Sequence, residues 1–185
     1  NKIHLFDVVF PVMHGTFCED GTIQGLLESM NYPYVGAGVL ASGLGMDKDV
    51  SKRLVAAAGI KVPEFETVKL AQWQANPQAI LQVIKKRFEF PVFVKPANTG
   101  SSVGVHKVQK YQQLPEFIED AFLYDTKILI EQALDIREIE LSVLEDLEFG
   151  KPAKVSLPGE VVPSHEFYSY EAKYLDENGA ELIIP

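Results

Sequence analysis

The sequence is poor in cysteine and histidine and contains no long apolar segment. Cys18 is the single cysteine, so no disulfide can form within the chain, and a reducing compartment, the cytoplasm, is expected. The four histidines and the one cysteine show no spacing typical of a zinc site. No apolar run approaches the roughly 20 residues of a membrane span. The first residues show no signal-peptide pattern.

Several function classes lack their sequence signatures. The formal net charge of -9 argues against a broad surface for a phosphate backbone, so no nucleic-acid partner is expected. The segment 36–38 lacks the third glycine of a dinucleotide-binding fingerprint, and no Gly-x-Ser-x-Gly elbow is present. The composition, 46% hydrophobic and 23% charged, is that of an ordinary globular chain.

Both ends of the chain have the character of internal segments. The sequence starts without methionine and runs almost at once into the apolar residues 8–10. It stops in the apolar run 182–185. We therefore expect a chain that is incomplete at both its N- and its C-terminus.

The first 60 residues predict a β/α arrangement. An apolar run at 7–12 and a short run at 34–36 favour strands, and 22–30 has apolar residues on one helical face. Strand, helix, strand in that order suggests parallel pairing. Small-residue and capped patterns then predict helices at 39–46 and 48–58, with Asp47 as the N-cap of the second.

The remainder predicts mixed helices and strands, so the expected fold class combines α/β and α+β parts. Helices are predicted at 77–88 and 114–124. Strands are predicted at 64–70, 91–96, 103–108, 127–133, 137–144 and 154–162, with a hairpin formed by 91–96 and 103–108 and an apolar face alternating with a polar face along 137–144. Segment 163–179 predicts a long loop.

The sharpest local feature is the segment from Lys95 to Val105, in which Gly100 and Gly104 bracket two serines at the tip of the predicted hairpin. Glycine lets the backbone approach a ligand closely and point N–H groups toward it, which suits phosphate oxygens. Lys95 can reach the same phosphates. No Gly-Lys-Ser/Thr precedes a helix, so this is not a Walker A loop. An ordinary Gly/Ser hairpin turn fits the pattern equally well.

Single residues elsewhere lie where such a site would need them, although each has a simpler interpretation. Lys48 stands at a predicted helix start, and Glu131 and Glu138 flank a short connection where they could accept hydrogen bonds from an adenine amine or a ribose hydroxyl. His14 follows an apolar strand, where ligands bind in β/α folds. A solvated lysine, two surface carboxylates and a structural histidine are the alternatives.

Polar residues on the predicted loop 163–179 extend this pattern. Tyr168, Tyr170, Lys173 and Tyr174 supply hydroxyls and one amine. A loop of that length in a compact protein is more often functional than not. These side chains could therefore cover a small polar substrate.

Taken together, these segments resemble D-alanine–D-alanine ligases in order and spacing over essentially the whole chain. Each piece alone is weak, and the ordered set is specific. The matching stretches are His14-Gly15, Glu19-Asp20-Gly21-Thr22-Ile23-Gln24-Gly25, Pro33-Tyr34-Val35-Gly36, Met46-Asp47-Lys48, Phe93-Val94-Lys95-Pro96, Gly100-Ser101-Ser102-Val103-Gly104, Ile130-Glu131-Gln132, Arg137-Glu138, Pro158-Gly159-Glu160-Val161 and Phe167-Tyr168-Ser169-Tyr170-Glu171-Ala172-Lys173-Tyr174.

The resemblance implies a multi-domain ATP-grasp fold with mixed sheets and a Gly/Ser-rich hairpin lid. Residues 1–40 would end an N-terminal α/β substrate domain, 41–131 would form the central lid domain, and 132–185 would begin the C-terminal domain, including a substrate-covering loop at about 159–179. It also implies a reaction in which ATP phosphorylates one D-alanine and the amine of a second D-alanine attacks the acylphosphate. The product, D-alanyl-D-alanine, serves peptidoglycan synthesis and cell shape.

The same resemblance implies roles for individual residues. Those expected to act on the substrates are His14, Ser101 and Tyr174. Those expected to bind ATP are Lys48, Phe93, Lys95, Gly100, Ser101, Ser102, Val103, Gly104, Glu131, Gln132, Ala133, Leu134, Glu138, Phe167 and Lys173. Tyr174 favours an amine as the second nucleophile. No metal ligand is expected within the chain, because the family holds Mg²⁺ (or Mn²⁺) through residues that would lie beyond Pro185.

The expected partners are ATP and D-alanine, with no membrane, in a cytoplasmic homodimer. These 185 residues alone are not expected to catalyse ligation. Two other interpretations stay open. One is a different ATP-grasp ligase that joins another carboxylate and amine. The other is a non-catalytic nucleotide-binding module.

Overall fold

The structure of the protein is a computed structural model that describes residues 7–164, 176 and 179–184. The chain divides into two units, Asn1–Ala133 and Leu134–Pro185, and each is considered separately. Of the helices in the part of the chain that the structure describes, none is long and apolar enough to cross a membrane.

The first unit contains all the described helices and one four-stranded sheet. Its helices are Thr22–Ser29 (α1), Val39–Met46 (α2), Lys48–Ala57 (α3), Leu70–Ala75 (α4), Pro77–Arg87 (α5) and Leu114–Ala121 (α6), with a 3₁₀ turn at Tyr111–Gln113. Its strands are Phe65–Lys69 (β1), Val92–Pro96 (β2), His106–Val108 (β3) and Lys127–Gln132 (β4). The predicted helices are confirmed, whereas α4 and the 3₁₀ turn were not predicted.

The sheet of the first unit is antiparallel, in the order β1-β4-β2-β3. The predicted hairpin is confirmed, because Val94 pairs with His106, although β3 is shorter than the predicted strand 103–108. Along β2 the burial alternates as predicted: Val92 and Val94 are buried, and Phe93 and Lys95 are half-buried on the other face.

One face of this sheet is covered by α5 and α6 and forms an apolar core. The spacing of Leu81 and Ile84 on α5, and of Leu114 and Ile118 on α6, turns one stripe of each helix toward the sheet. The buried residues of this core are Val68, Trp73, Leu81, Ile84, Phe88, Val92, Val94, Val108, Leu114, Ile118, Ala121, Ile128 and Ile130. The core fixes the strands, and the opposite face of the sheet carries Lys95 and Glu131.

Helix α3 begins at the predicted N-cap. The side chain of Asp47 accepts hydrogen bonds from the backbone N–H groups of Asp49 and Val50, both at 3.1 Å. These are two of the donors that a helix start leaves without intrahelical partners. None of the residues of α3 is buried, so apolar packing contributes little to its position.

The N-terminal β/α arrangement is present in reduced form. Val9 and Tyr34 form an isolated parallel bridge, supported by a hydrogen bond from the N–H of Val9 to the carbonyl of Pro33 at 2.8 Å. The predicted parallel pairing is therefore confirmed, but the predicted strands at 7–12 and 34–36 contract to this bridge.

The second unit is built from short strands: Glu138–Glu140 (β5), Val143–Leu144 (β6), Lys154–Val155 (β7), Gly159–Pro163 (β8) and Ala180–Ile183 (β9). They form the sheets β5-β8-β9 and β6-β7. The predicted continuous strand 137–144 is wrong, because β5 and β6 pair with different partners. For the same reason 154–162 splits into β7 and β8. Most of the predicted loop 163–179 lies outside the described residues.

Candidate functional site

A carboxylate on β4 lies between two lysines. Glu131 Oε1 is 2.8 Å from Lys95 Nζ and Glu131 Oε2 is 2.7 Å from Lys52 Nζ. The sheet register explains the first pair: Glu131 is opposite Phe93, so Lys95, two residues further along β2, is its diagonal neighbour on the same face. The carboxylate is almost fully buried. This cluster has one more positive than negative charge.

The charge state of Glu131 follows from these contacts. Burial alone would raise the pKa of its carboxyl group, but the charge of Lys95 and the hydrogen bonds from Lys52 and Lys95 outweigh burial and lower that pKa below its ordinary value. Glu131 is therefore ionised at neutral pH, and it holds Lys95 at the end of β2. The Lys95 ammonium also lies 5.0 Å from the centroid of the Phe93 ring.

Lys48 occupies the base of the loop that follows β2. Its ammonium group donates hydrogen bonds to the carbonyl oxygens of Pro96 at 3.0 Å, Ala97 at 3.5 Å and Thr99 at 2.5 Å. Burial, followed by the charge of Lys95, lowers the pKa of Lys48 to about 8, against the opposing effect of nearby carboxylates. Two mutually repelling ammonium groups thus stand on one side of the Gly/Ser loop, an arrangement that would be stabilised by an anion.

Two consecutive residues at the tip of the loop have left-handed backbone conformations. Ser101 and Ser102 have φ of 52° and 59°, and the N–H of Val103 donates to the carbonyl of Gly100 at 3.1 Å. Positive φ at both central residues is the signature of a type I′ turn, whose twist suits a hairpin. Non-glycine residues in this region are uncommon and concentrate at ligand sites.

The backbone conformation and the close neighbours of residue 104 require glycine at this position. Its φ is 68°, and a Cβ at this position would lie 2.6 Å from Cδ2 of Tyr124 and 2.9 Å from Cγ of Pro96. A side chain would therefore clash with a ring on each side. Gly100, at the other end of the serine pair, has its nearest such neighbour at 3.6 Å, the Cα of Gly15. The tight end of the loop is the end next to β3.

The His14 segment lies close to this loop. The N–H of Gly15 donates to Oε2 of Glu19 at 2.5 Å, and the hydroxyl of Thr16 lies 3.5 Å from the carbonyl of Asn98. His14 Nδ1 is 3.9 Å from Glu19 Oε1, and its side chain is 78% exposed. The structure thus brings the segment that carries His14 next to the loop, with its imidazole open to solvent.

The residues after Glu131 are held by backbone and amide contacts. The side-chain amide of Gln132 donates to the carbonyls of Glu89 at 2.9 Å and Pro91 at 3.2 Å. The N–H of Ala133 donates to Pro91 at 3.3 Å. These contacts fix the end of β4 against the start of β2, in the unit that also contains Lys52 and Lys95.

Two predicted nucleotide-binding residues belong to the second unit. Leu134 is half-exposed and Glu138, the first residue of β5, is partly buried. The neighbouring Arg137 makes a bidentate pair with Glu160 of β8, at 2.7 Å and 2.5 Å. The hydrogen bonds from Arg137 lower the pKa of Glu160. Phe167, Lys173 and Tyr174 lie outside the described residues.

Sequence reasoning missed two functional candidates in the first unit, Lys52 and Lys127. Lys52 follows Lys48 by four residues, one helical turn, so a helix prediction already places both on one face of α3. Lys127 Nζ is 2.6 Å from Asp47 Oδ2 and 3.5 Å from Asp49 Oδ2. Only the packing of α3 against the sheet brings Lys127 to these carboxylates.

The donors of the first unit suit a polyphosphate. Lys48, Lys95 and the backbone N–H groups of a glycine-bracketed loop are the groups that stabilise phosphate oxygens elsewhere. Among residues 7–164, 176 and 179–184, no group of three or more His, Cys, Asp or Glu side chains could hold a metal ion.

Solved structures identify the class of protein. The chain matches the VanG D-Ala:D-Ser ligase from Enterococcus faecalis with a TM-score of 0.83 and 37% identity, covering 100% of this chain and 51% of that one. It matches the D-alanyl-alanine synthetase A from Vibrio cholerae with a TM-score of 0.78 and 36% identity, covering 96% and 52%. The fold is therefore that of the ATP-grasp ligases, with mixed helices and sheets as predicted.

Sequence comparison narrows the class. The family model described as D-ala D-ala ligase C-terminus matches residues 54–185, and the one described as D-ala D-ala ligase N-terminus matches 1–37. The chain belongs to the D-alanine–D-alanine ligase family, which confirms the resemblance drawn from the motifs.

Relatives with names of this kind are close in sequence. A D-alanine–D-alanine ligase of Caldicellulosiruptor bescii is 54% identical and a D-alanine–D-alanine ligase A of Bradyrhizobium diazoefficiens is 50% identical, each match covering 97% of this chain. The chain spans about half the length of these relatives, 48% in both cases.

Proposed function

We propose that the complete protein is an ATP-dependent, ADP-forming ligase that joins two D-alanines into D-alanyl-D-alanine for peptidoglycan precursor synthesis. Membership of the family and the names of relatives about half identical in sequence support this activity. The observation that carries the proposal is that Lys48 donates to carbonyls at the base of the Gly/Ser loop and lies close enough to Lys95 for the two charges to interact.

In this proposal the loop 100–104 closes over the ATP phosphates. Lys48 and Lys95 donate to phosphate oxygens, and the N–H groups between Gly100 and Gly104 add further donors, with the hydroxyl of Ser102. Both lysines already have contacts in the structure: Lys48 donates to loop carbonyls, and Lys95 shares Glu131 with Lys52. Such fixed donors stabilise the charge that moves during phosphoryl transfer.

The adenosine part of ATP would lie beyond the end of β4. Glu131 and the segment 132–134 would contact adenine, and Glu138 would accept from the ribose hydroxyls. Phe93, on the sheet face that carries Lys95, and Phe167 would pack near the base, and Lys173 would reach the phosphates. The hydrogen bonds of Gln132 to Glu89 and Pro91 support a rigid edge for this contact.

Substrate groups are assigned by resemblance and by proximity. His14 would lie near the carboxylate of the first D-alanine, and Ser101 and Tyr174 would close the long loop over both substrates. The approach of the neighbouring Thr16 hydroxyl to the carbonyl of Asn98, at 3.5 Å, supports a common site for phosphate and D-alanine. An acylphosphate of the first D-alanine would then be attacked by the amine of the second.

The remaining parts of the proposal concern the whole protein. A divalent cation, Mg²⁺ or Mn²⁺, would neutralise phosphate charge, through ligands outside the described residues. We also propose a cytoplasmic homodimer, and the domain limits 1–40, 41–131 and 132–185. In these limits the lid domain would contain both α3 and the Gly/Ser loop.

The test is a product assay on the complete protein with ATP, Mg²⁺ and D-alanine. We expect phosphate release that depends on D-alanine, with one dipeptide formed per phosphate, as measured by mass spectrometry. Reactions with D-serine or D-lactate as the second substrate separate the dipeptide ligase from the D-Ala:D-Ser type that one structural neighbour represents. Release of phosphate only with another amino acid would replace D-alanine in the proposal, and ATP binding without any phosphate release would support a non-catalytic module.

A further inference from the structure

Helix α3 is held to the sheet by charged contacts. It has no buried residue, so the apolar core does not fix it. Lys127, the first residue of β4, reaches Asp47 Oδ2 at 2.6 Å and Asp49 Oδ2 at 3.5 Å with a side chain that is only 19% exposed. One turn later, Lys52 reaches Glu131. The N-terminal end of α3 is therefore held to the sheet by Lys127, together with the hydroxyl of Thr67, which donates to Asp49 Oδ1 at 2.8 Å.

The Lys127 contact acts on the residue that carries the cap. Asp47 uses Oδ1 to accept from the N–H groups of Asp49 and Val50 and Oδ2 to accept from Lys127. Lys48 follows Asp47 directly. A cap that rotated away from Lys127 would carry the Lys48 side chain with it.

The backbone of Lys127 reaches the base of the loop. Its carbonyl accepts from the N–H of Ala97 at 2.9 Å, and the carbonyl of Ala97 accepts from the N–H of Lys48 at 3.0 Å. The N–H of Lys127 donates to Asp125 at 3.2 Å, while Asp125 accepts from the N–H of Asn98 at 2.8 Å. Lys127 thus touches the start of α3 with its side chain and, through Asp125 and Ala97, the β2 side of the loop base with its backbone.

We propose that Lys127 is a positioning residue for ATP binding: its ammonium group fixes Asp47 and Asp49, and through them holds Lys48 at the base of the Gly/Ser loop. The proposal rests on the proposed function. In the structure the ammonium of Lys127 is paired with the carboxylates of Asp47 and Asp49, so the role proposed for it is indirect. The charge of Lys127 affects ATP binding through the position of Lys48.

The experiment is a double-mutant cycle in the complete protein, with the Kd for ATP measured by calorimetry below the unfolding temperature of every variant. The variants are Lys127→Met, Lys48→Met and the pair together. If Lys127 acts through Lys48, Lys127→Met weakens ATP binding about tenfold in the wild-type background and less than about twofold in the Lys48→Met background. A contribution to stability alone would lower the unfolding temperature and leave the Kd unchanged.

Two further variants make the cycle decisive. Lys127→Arg keeps a cation that can pair with both carboxylates, so we expect a Kd within about threefold of wild type. Lys86→Met makes the same chemical change at an exposed position of α5, and we expect no change in the Kd. Equal losses from Lys127→Met in both backgrounds would overturn the positioning role.

The same data separate this inference from the proposed function. Wild-type protein that binds no ATP would remove the proposed function. A different outcome would reject only the role of Lys127. In that outcome the wild type binds ATP, Lys48→Met raises the Kd for ATP, and Lys127→Met leaves the Kd unchanged, so the proposed function stays in place.

Discussion

Lys95 on β2 and Glu131 on β4 form an ion pair of 2.8 Å, and Lys52 on α3 reaches the second oxygen of the same carboxylate at 2.7 Å. The pair joins the residue proposed for phosphate to the residue proposed for adenine. Because Glu131 has two lysine partners, it keeps one of them when Lys95 turns toward a phosphate. The carboxylate therefore need not be left buried without a counter-charge when ATP binds.

The first prediction concerns Lys95. Lys95→Ala in the complete protein removes a charge-assisted contact to phosphate, and we expect the KM for ATP in the phosphate-release assay to rise at least about tenfold. Lys86→Ala on the exposed side of α5 is the matched control. Unchanged ATP kinetics in Lys95→Ala would remove this residue from the phosphate site.

The second prediction concerns stability in acid. Glu131 has a lowered pKa in the folded protein, so it binds fewer protons than in the unfolded chain. Its contribution to stability is present above the ordinary glutamate pKa of about 4.3 and is lost as the pH falls through the folded pKa. Glu131→Gln should therefore cost roughly 3 kcal/mol at neutral pH, because two lysines lose their partner.

Chemical denaturation of the complete protein at several pH values measures this difference. The gap in unfolding free energy between wild type and Glu131→Gln should narrow as the pH falls below the ordinary glutamate pKa toward the lowered folded pKa of Glu131, because a protonated glutamate resembles glutamine. Glu89→Gln, at an exposed position, is the control with no such gap. A gap that is constant with pH would mean that the ion pairs do not contribute.

Much of the first unit follows from local sequence patterns. Apolar spacing predicts α5 and α6, the Asp47 cap predicts the start of α3, and the alternation along β2 predicts which face carries Lys95. Each of these features depends on residues a few positions apart, which is the range over which helix and strand periodicity operates.

The features that the sequence did not predict depend on contacts distant in the chain. Lys127 and Asp47 are 80 positions apart, and no periodicity joins them. In the second unit the alternation of 137–144 predicted one strand with an apolar and a polar face, but this segment forms two strands, and the apolar side chains Ile139, Leu141 and Val143 are exposed among the described residues. Alternation reports a face that can be buried, and the burial itself depends on what packs there.

The third prediction concerns the pH dependence of ATP binding. Lys48 has a folded pKa of about 8, so its charge is lost at a pH where free lysine is still protonated. In the folded protein the charged form is the destabilised form, and deprotonation above about pH 8 relieves that cost, so the stability contributed by Lys48 rises with pH. Phosphate binding needs the charged form, so the Kd for ATP should rise as the pH increases past this value.

Calorimetry from about pH 7.5 to about pH 9.5 tests the role of Lys48, a range above the last ionisation of a phosphate monoester. Lys48→Arg stays charged throughout this range, so its profile should be flatter than that of the wild type. Parallel profiles for the two proteins would show that deprotonation of Lys48 does not control ATP binding.

The last prediction concerns the tight end of the Gly/Ser loop. In Gly104→Ala the new methyl group would meet the Tyr124 ring at 2.6 Å and Pro96 at 2.9 Å, at a backbone φ of 68°. A clash against two rings, together with a left-handed alanine, should cost about 2–4 kcal/mol of unfolding free energy. Gly100→Ala meets its nearest neighbour at 3.6 Å and should cost under about 1 kcal/mol. Urea denaturation of the two variants measures the difference, and equal costs would mean that the ring of Tyr124 moves aside to admit the methyl group.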